Sequence, residues 1–284
     1  AGKDVYLEKP LTRTLEEAHQ VADCVKKTGR VLQVGAQWTS QPKWRRAKEL
    51  LPQIGHPVWS QTSYCRNSIE GEWNYPIEEQ CTPDTLDWEA FLGPAPKVPF
   101  SRERYFRWRK YWDYSSGIAG DLMPHKMHPL FLVLGLPLPS RVVAAGGLYV
   151  HKDREVPDVM QLLADFPTGH TMLVSGSTCN ERGLDDLIRG HKATMELQSD
   201  RQIVIKPERV YAEEVEGGPE DVETLMEDPM RTHEKNFMEC VRTRKSPNCG
   251  IEIAYPVMVT VAMGEMSFRQ NRMVRIDPQT RKLL

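Results

Sequence analysis

The feature that most constrains this chain is its opening, where a short β-prone run, a helical run and a second β-prone run follow one another. Val5 to Leu7 is apolar and is stopped by Pro10, and from Thr14 onward Leu15, Ala18, Val21, Ala22 and Val25 recur at helical spacing. Thr14 with Glu17 three residues later predicts a capping box, and Gly29 stands where the helix should end. Arg30 to Gly35 then predicts a strand buried on both faces. Strand, helix and strand in that order predict a parallel βαβ unit, because parallel neighbours need a crossover connection. One such unit cannot be a whole domain.

The 284 residues correspond to about two domains at roughly 150 residues each. A helix around Lys43 to Leu51, closed by Pro52 and Gly55, and a strand around Val58 to Tyr64 are expected next. Asn67 to about Trp112 is rich in Pro, Gly and Trp and reads as a long functional excursion with a short helical piece near Leu86 to Leu92. Gly117 to Leu134 predicts a helix. Arg141–Val150, Met160–Phe166, Thr171–Ser177, Ala193–Gln198, Gln202–Lys206 and Val210–Glu214 predict a mostly antiparallel sheet of about six strands. Glu213 to Glu227 is charged and reads as a solvated loop. Helices around Thr232 to Thr243 and Ile251 to Gln270 and a final strand at Val274 to Ile276 complete the pattern.

Hydrophobic residues make up 40% and charged residues 27%, and no apolar run approaches the roughly 18 residues of a bilayer span, so the chain is not expected to cross a membrane. The charge sum, 37 − 39 = −2, gives no general attraction for nucleic acid, which is not an expected partner. Arg102 to Lys110, with five basic residues among aromatics, is the one basic patch of note. The six cysteines form no C-x-x-C pair, which suits reduced thiols and a cytoplasmic location.

Three places could carry chemistry. Glu8-Lys9-Pro10 ends a strand of the parallel unit, where ligands of open α/β sheets collect, and an ammonium there can orient a hydroxyl or stabilise an alkoxide. A strand-end lysine can equally be an ordinary surface residue. In the segment Gly117 to His128, Asp121 and His125 are four apart and His128 three further on, so one helical face would hold all three. An aspartate beside an imidazole fixes its tautomer and raises its basicity, which suits a general base. The same residues suit a dipole-stabilising aspartate with two part-buried histidines, or a metal, although one helix seldom completes a coordination sphere and no metal is expected. Pro124 threatens the common face. Trp108 and Arg109, in the aromatic and basic stretch from Arg104 to Trp112, suit carbohydrate or carboxylate binding, and Trp73 and Trp88 add apolar faces.

The succession AGKDVYLEKP, VLQVGAQ and SSGIAGDLMPH, followed by HEKNFMECVRTRKSPNCGIEIA and MVRIDPQTRKL, resembles the Gfo/Idh/MocA family of NAD(P)-dependent sugar and inositol dehydrogenases. The resemblance implies the last part of a Rossmann domain over residues 1–37 and, over 38–284, a substrate-binding α/β domain with a large, mostly antiparallel open sheet that makes a homo-oligomer. It further implies a sugar or polyol substrate and NAD or NADP as cofactor. Lys9 is then the substrate-orienting lysine, His125 the proton acceptor and Asp121 the residue that bonds substrate or tunes that base. Glu8, Lys9, Pro10 and Gln37 would line the nicotinamide, and Trp108, Arg109 and His128 the substrate. Met123 stands where the family pattern has glycine and His128 where it has aspartate, which implies an altered pocket. The family's glycine-rich phosphate loop, within about 90 to 100 residues that precede EKP in relatives, has no counterpart in this sequence, so this chain is not expected to bind the cofactor by itself. A scaffold or sugar-binding role without catalysis is the alternative expectation.

Overall fold

The computed structural model describes residues 1–197, 199–224 and 227–284. β1 (Val5–Glu8) and β2 (Leu32–Gly35) pair in parallel, with Leu7 beside Val34, and α1 (Leu15–Thr28) makes the crossover. The local signals act as expected. Thr14 accepts from the Glu17 amide while the Glu17 carboxylate accepts from the Thr14 amide, and Gly29 ends the helix at φ +60°. All four residues of β2 are buried.

This small sheet is tied into the rest of the molecule through β2. The Val34 amide donates to the Cys249 carbonyl at 2.9 Å, and buried His233, on α7 (Pro229–Thr243), bonds the Val34 carbonyl through Nε2 at 2.8 Å. Gln33, wholly buried, returns a bond to the His233 carbonyl at 2.7 Å. On the opposite side α1 meets α8 (Ile251–Gln270), where His19 and the Tyr255 hydroxyl lie 2.8 Å apart. α8 is the one helix among the described residues that is long and apolar enough to cross a membrane, and most of it is buried in the core.

The second sheet has nine described strands. In chain order they are β3 (Pro57–Cys65), β4 (Arg141–Gly147), β5 (Val159–Phe166), β6 (His170–Ser177), β7 (Leu187–Gly190), β8 (Ala193–Glu196), β9 (Gln202–Pro207), β10 (Gly218–Asp221) and β11 (Val274–Arg275). Their spatial order is β10-β9-β8-β7-β3-β6-β5-β4-β11, antiparallel throughout except between β3 and β6. Alternation along β5 sets the two faces: Met160, Leu162, Ala164 and Phe166 are buried beneath the helices, whereas Gln161 and Leu163 point to the bare face. α2 (Pro42–Leu50), α6 (Met123–Leu134) and α8 cover the inner face.

Several expectations need correction. Val210–Glu214 is not a strand: Arg209–Tyr211 forms a 3₁₀ turn, and Val210, 73% exposed, has no sheet to bury itself against. The supposed loop from Glu213 contains β10, an edge strand whose backbone pairs with β9 whatever its polar side chains, and whose Pro219 is tolerated because only one side of an edge is paired. Leu225 and Met226 in that loop, and Gln198 at the end of the expected strand Ala193–Gln198, lie outside the described residues. β7, only four residues long, carries too little alternation to stand out. The helix expected over Gly117–Leu134 is two helices, α5 (Ile118–Asp121) and α6, broken at Leu122 just before Pro124. α2 ends at Leu50, and Pro52 lies in the first turn of a 3₁₀ segment, Leu51–Ile54, that follows it directly and that Gly55 ends. The excursion holds α3 (Trp88–Leu92) as expected and α4 (Arg102–Phe106) in addition.

Candidate functional site

The carboxyl end of β1 delivers Lys9 to the break between α5 and α6. Its ammonium donates to the Asp121 carboxylate Oδ1 at 2.9 Å and also to the Asp121 carbonyl. The Lys9–Pro10 peptide is cis, and Pro10 lies beside Gly120. Asp121 is held from two further directions: the Trp73 indole Nε1 donates to Oδ2 at 2.9 Å and the Arg109 Nε to Oδ1 at 3.3 Å. Both members of the lysine–aspartate pair are largely buried. Burial alone would raise the Asp121 carboxyl, but the Lys9 and Arg109 charges and the indole bond outweigh it and hold it below the usual range. Burial lowers the Lys9 ammonium, and Asp121 only partly offsets this.

His125 sits on the first turn of α6, half-buried. Its ring stacks on Tyr64 at a centroid distance of 5.4 Å and lies 5.7 Å from Trp38. Burial first, then the Lys9 charge, pushes the imidazole down to about 3, so it is neutral through the physiological range. The sequence reading had Asp121 orienting this ring. In the structure the Asp121 carboxylate is bonded to Lys9, Trp73 and Arg109 instead, and the aromatic stack holds the imidazole. The helix break is the reason: four residues apart do not share a face when the turn between them is interrupted.

His128 departs further from the expected pocket position. It is 1% exposed, its Nδ1 lies 2.6 Å from the Pro124 carbonyl, and it offers no surface to a ligand. Nor do Asp121, His125 and His128 converge, and among the described residues no group of three or more His, Cys, Asp or Glu side chains is gathered around a common point. Arg109 stacks on Trp108 at 4.3 Å and lies 5.9 Å from Tyr75, so a guanidinium plane framed by aromatic rings borders the cluster. Glu8 is exposed, with its carboxylate folded over Gly35, where a Cβ would lie 2.7 Å from Oε2. Gln37 begins the 3₁₀ turn after β2 and is half-buried.

Three neighbours escaped the sequence reading. Trp38 and Tyr64 flank His125, and Arg66 donates to the Tyr64 hydroxyl at 2.8 Å and to Glu72 at 3.2 Å. Trp38 lies in the 3₁₀ turn just beyond the carboxyl end of β2 and Tyr64 is the last residue but one of β3, so the rule that ligands gather at carboxyl ends of strands could have nominated both. Two clefts of about 800 and 810 Å³ border α1 but contain none of these residues.

A strand-end lysine bonded to an aspartate thus lies beside a neutral imidazole in an α/β fold that joins a parallel βαβ unit to an open, mostly antiparallel sheet. Residues 1–36 match the model described as oxidoreductase family, NAD-binding Rossmann fold, and residues 70–143 the model described as oxidoreductase family, C-terminal alpha/beta domain. Both matched segments and the fold that contains them are those of the Gfo/Idh/MocA oxidoreductases. A 60-residue stretch is 38% identical to scyllo-inositol 2-dehydrogenase (NAD(+)) of Bacillus subtilis (strain 168), covering 20% of this chain and 18% of that relative. The chain therefore matches under one fifth of that curated relative's length. Among solved structures, aldose-aldose oxidoreductase from Caulobacter crescentus, complexed with glycerol, superposes at a TM-score of 0.69 and 17% identity, over 97% of this chain and 72% of that one. Levoglucosan dehydrogenase in complex with NADH and levoglucosan does so at 0.69 and 17%, over 96% and 74%.

Proposed function

We propose that this chain carries the substrate side of an NAD(P)-dependent oxidoreductase acting on a hydroxyl of a sugar or polyol. The observation that carries the reading is the Lys9 ammonium fixed on Asp121 beside the neutral imidazole of His125. Lys9 holds the reacting oxygen, His125 takes its proton, and hydride leaves the same carbon, so that the carbinol becomes a carbonyl. Trp108 and Arg109 border the substrate, offering an aromatic face to C–H groups and donors to hydroxyls. That relatives include an inositol dehydrogenase, an aldose oxidoreductase and a levoglucosan dehydrogenase supports the substrate class.

NAD or NADP supplies the hydride acceptor when bound. The residues present fit its nicotinamide end: Glu8, with its carboxylate lying over Gly35, and Lys9, Pro10 and Gln37 are gathered at the same carboxyl edge of the small sheet and would line it. We divide the chain accordingly, with residues 1–37 serving the cofactor side and 38–284 the substrate side. The bare face of the large sheet is the proposed contact between subunits.

The test is NAD(P)-dependent oxidation of a polyol and aldose panel by the polypeptide that joins these residues to a glycine-rich nucleotide-binding segment. Lys9→Ala and His125→Ala should each lower turnover by about 10²–10⁴ in protein that circular dichroism shows to be folded at the assay temperature. Retention of full turnover by either variant would refute the assignment.

A further inference from the structure

Trp73 has a backbone its residue type rarely adopts. It lies at φ +67° while only 2% exposed, a left-handed conformation unfavourable for a bulky L-residue that persists only where surroundings enforce it. Those surroundings are specific. Behind the indole, the guanidinium of Arg154 lies 5.6 Å from the ring centroid with its side chain wholly buried. Arg154 is anchored through Nε on Asp153 at 2.9 Å, and Asp153 also receives Lys110, itself 1% exposed, at 2.8 Å. Asn74, the next residue after Trp73, accepts from Lys110 at 2.9 Å and donates to Asp153 at 3.0 Å. Gly71 leaves room for this arrangement, since a Cβ there would come within 2.9 Å of the Arg154 Nη2.

We propose that Trp73 is a positioning residue for the Lys9–Asp121 pair: buried Arg154 and Lys110, tied together through the exposed Asp153, back its left-handed backbone and indole, and its N–H fixes which way the Asp121 carboxylate faces. With Oδ2 committed to the indole, Oδ1 is left for Lys9 and Arg109, so the ammonium is held at one point of the site. A tryptophan needed only to fill space would have no reason to occupy a left-handed backbone with its single donor aimed at a carboxylate. The excursion from Asn67 to Trp112 thereby gains a task, since both Trp73 and Lys110 belong to it. The inference rests on the reading of Lys9 and Asp121 as the reacting-centre pair.

The test reads the hydrogen bond itself in this chain by nuclear magnetic resonance. Asp121→Asn should move the Trp73 indole proton resonance, assigned by its loss in Trp73→Phe, and leave in place those of Trp44, Trp59, Trp88 and Trp112, which do not border the site. Trp73→Phe keeps an aromatic ring but removes the donor, and should raise the Asp121 titration midpoint by about one pH unit, the worth of one hydrogen bond to a charged group. Arg109 and Lys9, the other groups facing that carboxylate, remain in both variants. An unmoved Trp73 indole in Asp121→Asn, or an unchanged Asp121 midpoint in folded Trp73→Phe, overturns the proposal. Neither readout depends on turnover, so failure of the proposed function and failure of this inference are told apart.

Discussion

At the residue scale, the chemistry turns on how charge is distributed between Lys9, Asp121 and His125. Burial and the Lys9 charge both disfavour protonated His125, so its folded value, about 3, lies below the ordinary value of 6.5. The sign of the linkage follows: His125 is neutral in both states above about pH 6.5, so its stabilising contribution is present there, and it is lost as pH falls through 6.5 towards 3, where the unfolded chain binds the proton first. His125→Gln should therefore flatten the fall of thermal stability between pH 6.5 and 4.5, a window above the carboxylate range. Lys9→Met should raise the His125 midpoint, because it removes a repelling charge and frees Asp121 to attract the proton. A histidine proton titration followed by magnetic resonance checks this; a midpoint that stays or falls contradicts the account.

At the element scale, the site depends on α5 being held tightly against the large sheet. Gly176 in β6 makes that possible: a Cβ there would lie 2.2 Å from the Ile118 Cγ2, and Ile118 is wholly buried at the start of the helix that ends in Asp121. Gly176→Ala must push α5 outward or force Ile118 off its rotamer, with an expected loss of about 1–3 kcal/mol. Thermal unfolding measures the loss, and the Trp73 indole resonance should shift in the same variant. An unchanged melting temperature would mean that the α5–β6 contact is looser than described. The break between α5 and α6 was foreshadowed by Pro124, whereas its consequence, His125 among aromatic rings and His128 sealed inside, was not legible. A helical repeat predicts which residues share a face only while the helix is unbroken.

At the scale of the whole molecule, the sheet keeps one face bare. Val143, Leu163 and Leu173 lie side by side across β4, β5 and β6, with Gln61 and Leu187 continuing the row over β3 and β7. Val143 and Leu163 are 39% and 43% exposed, and this short apolar row across β4, β5 and β6 is what the proposed subunit contact would cover. The proposed subunit contact predicts a solution mass of at least two chains by light scattering, and Leu163→Arg should reduce it to one. A mass of one chain for the unaltered protein would remove the proposal.

The sequence by itself determined what depends on neighbours along the chain: the capped helix after Thr14, the βαβ unit, the long helix Ile251–Gln270, most sheet strands and, through its motifs, the family. These are legible because capping, periodicity and chain reversal act over a few residues, and because Lys9 and Asp121 belong to recognisable local runs. Only the tertiary structure decided which partners those residues meet. Lys9 and Asp121 are 112 positions apart, Trp73 reaches the same carboxylate from a third segment, and edge strand β10 exists because β9 offers it unpaired backbone groups. Hydrogen bonds and burial of this kind are set by packing in three dimensions, and no window of sequence contains both partners.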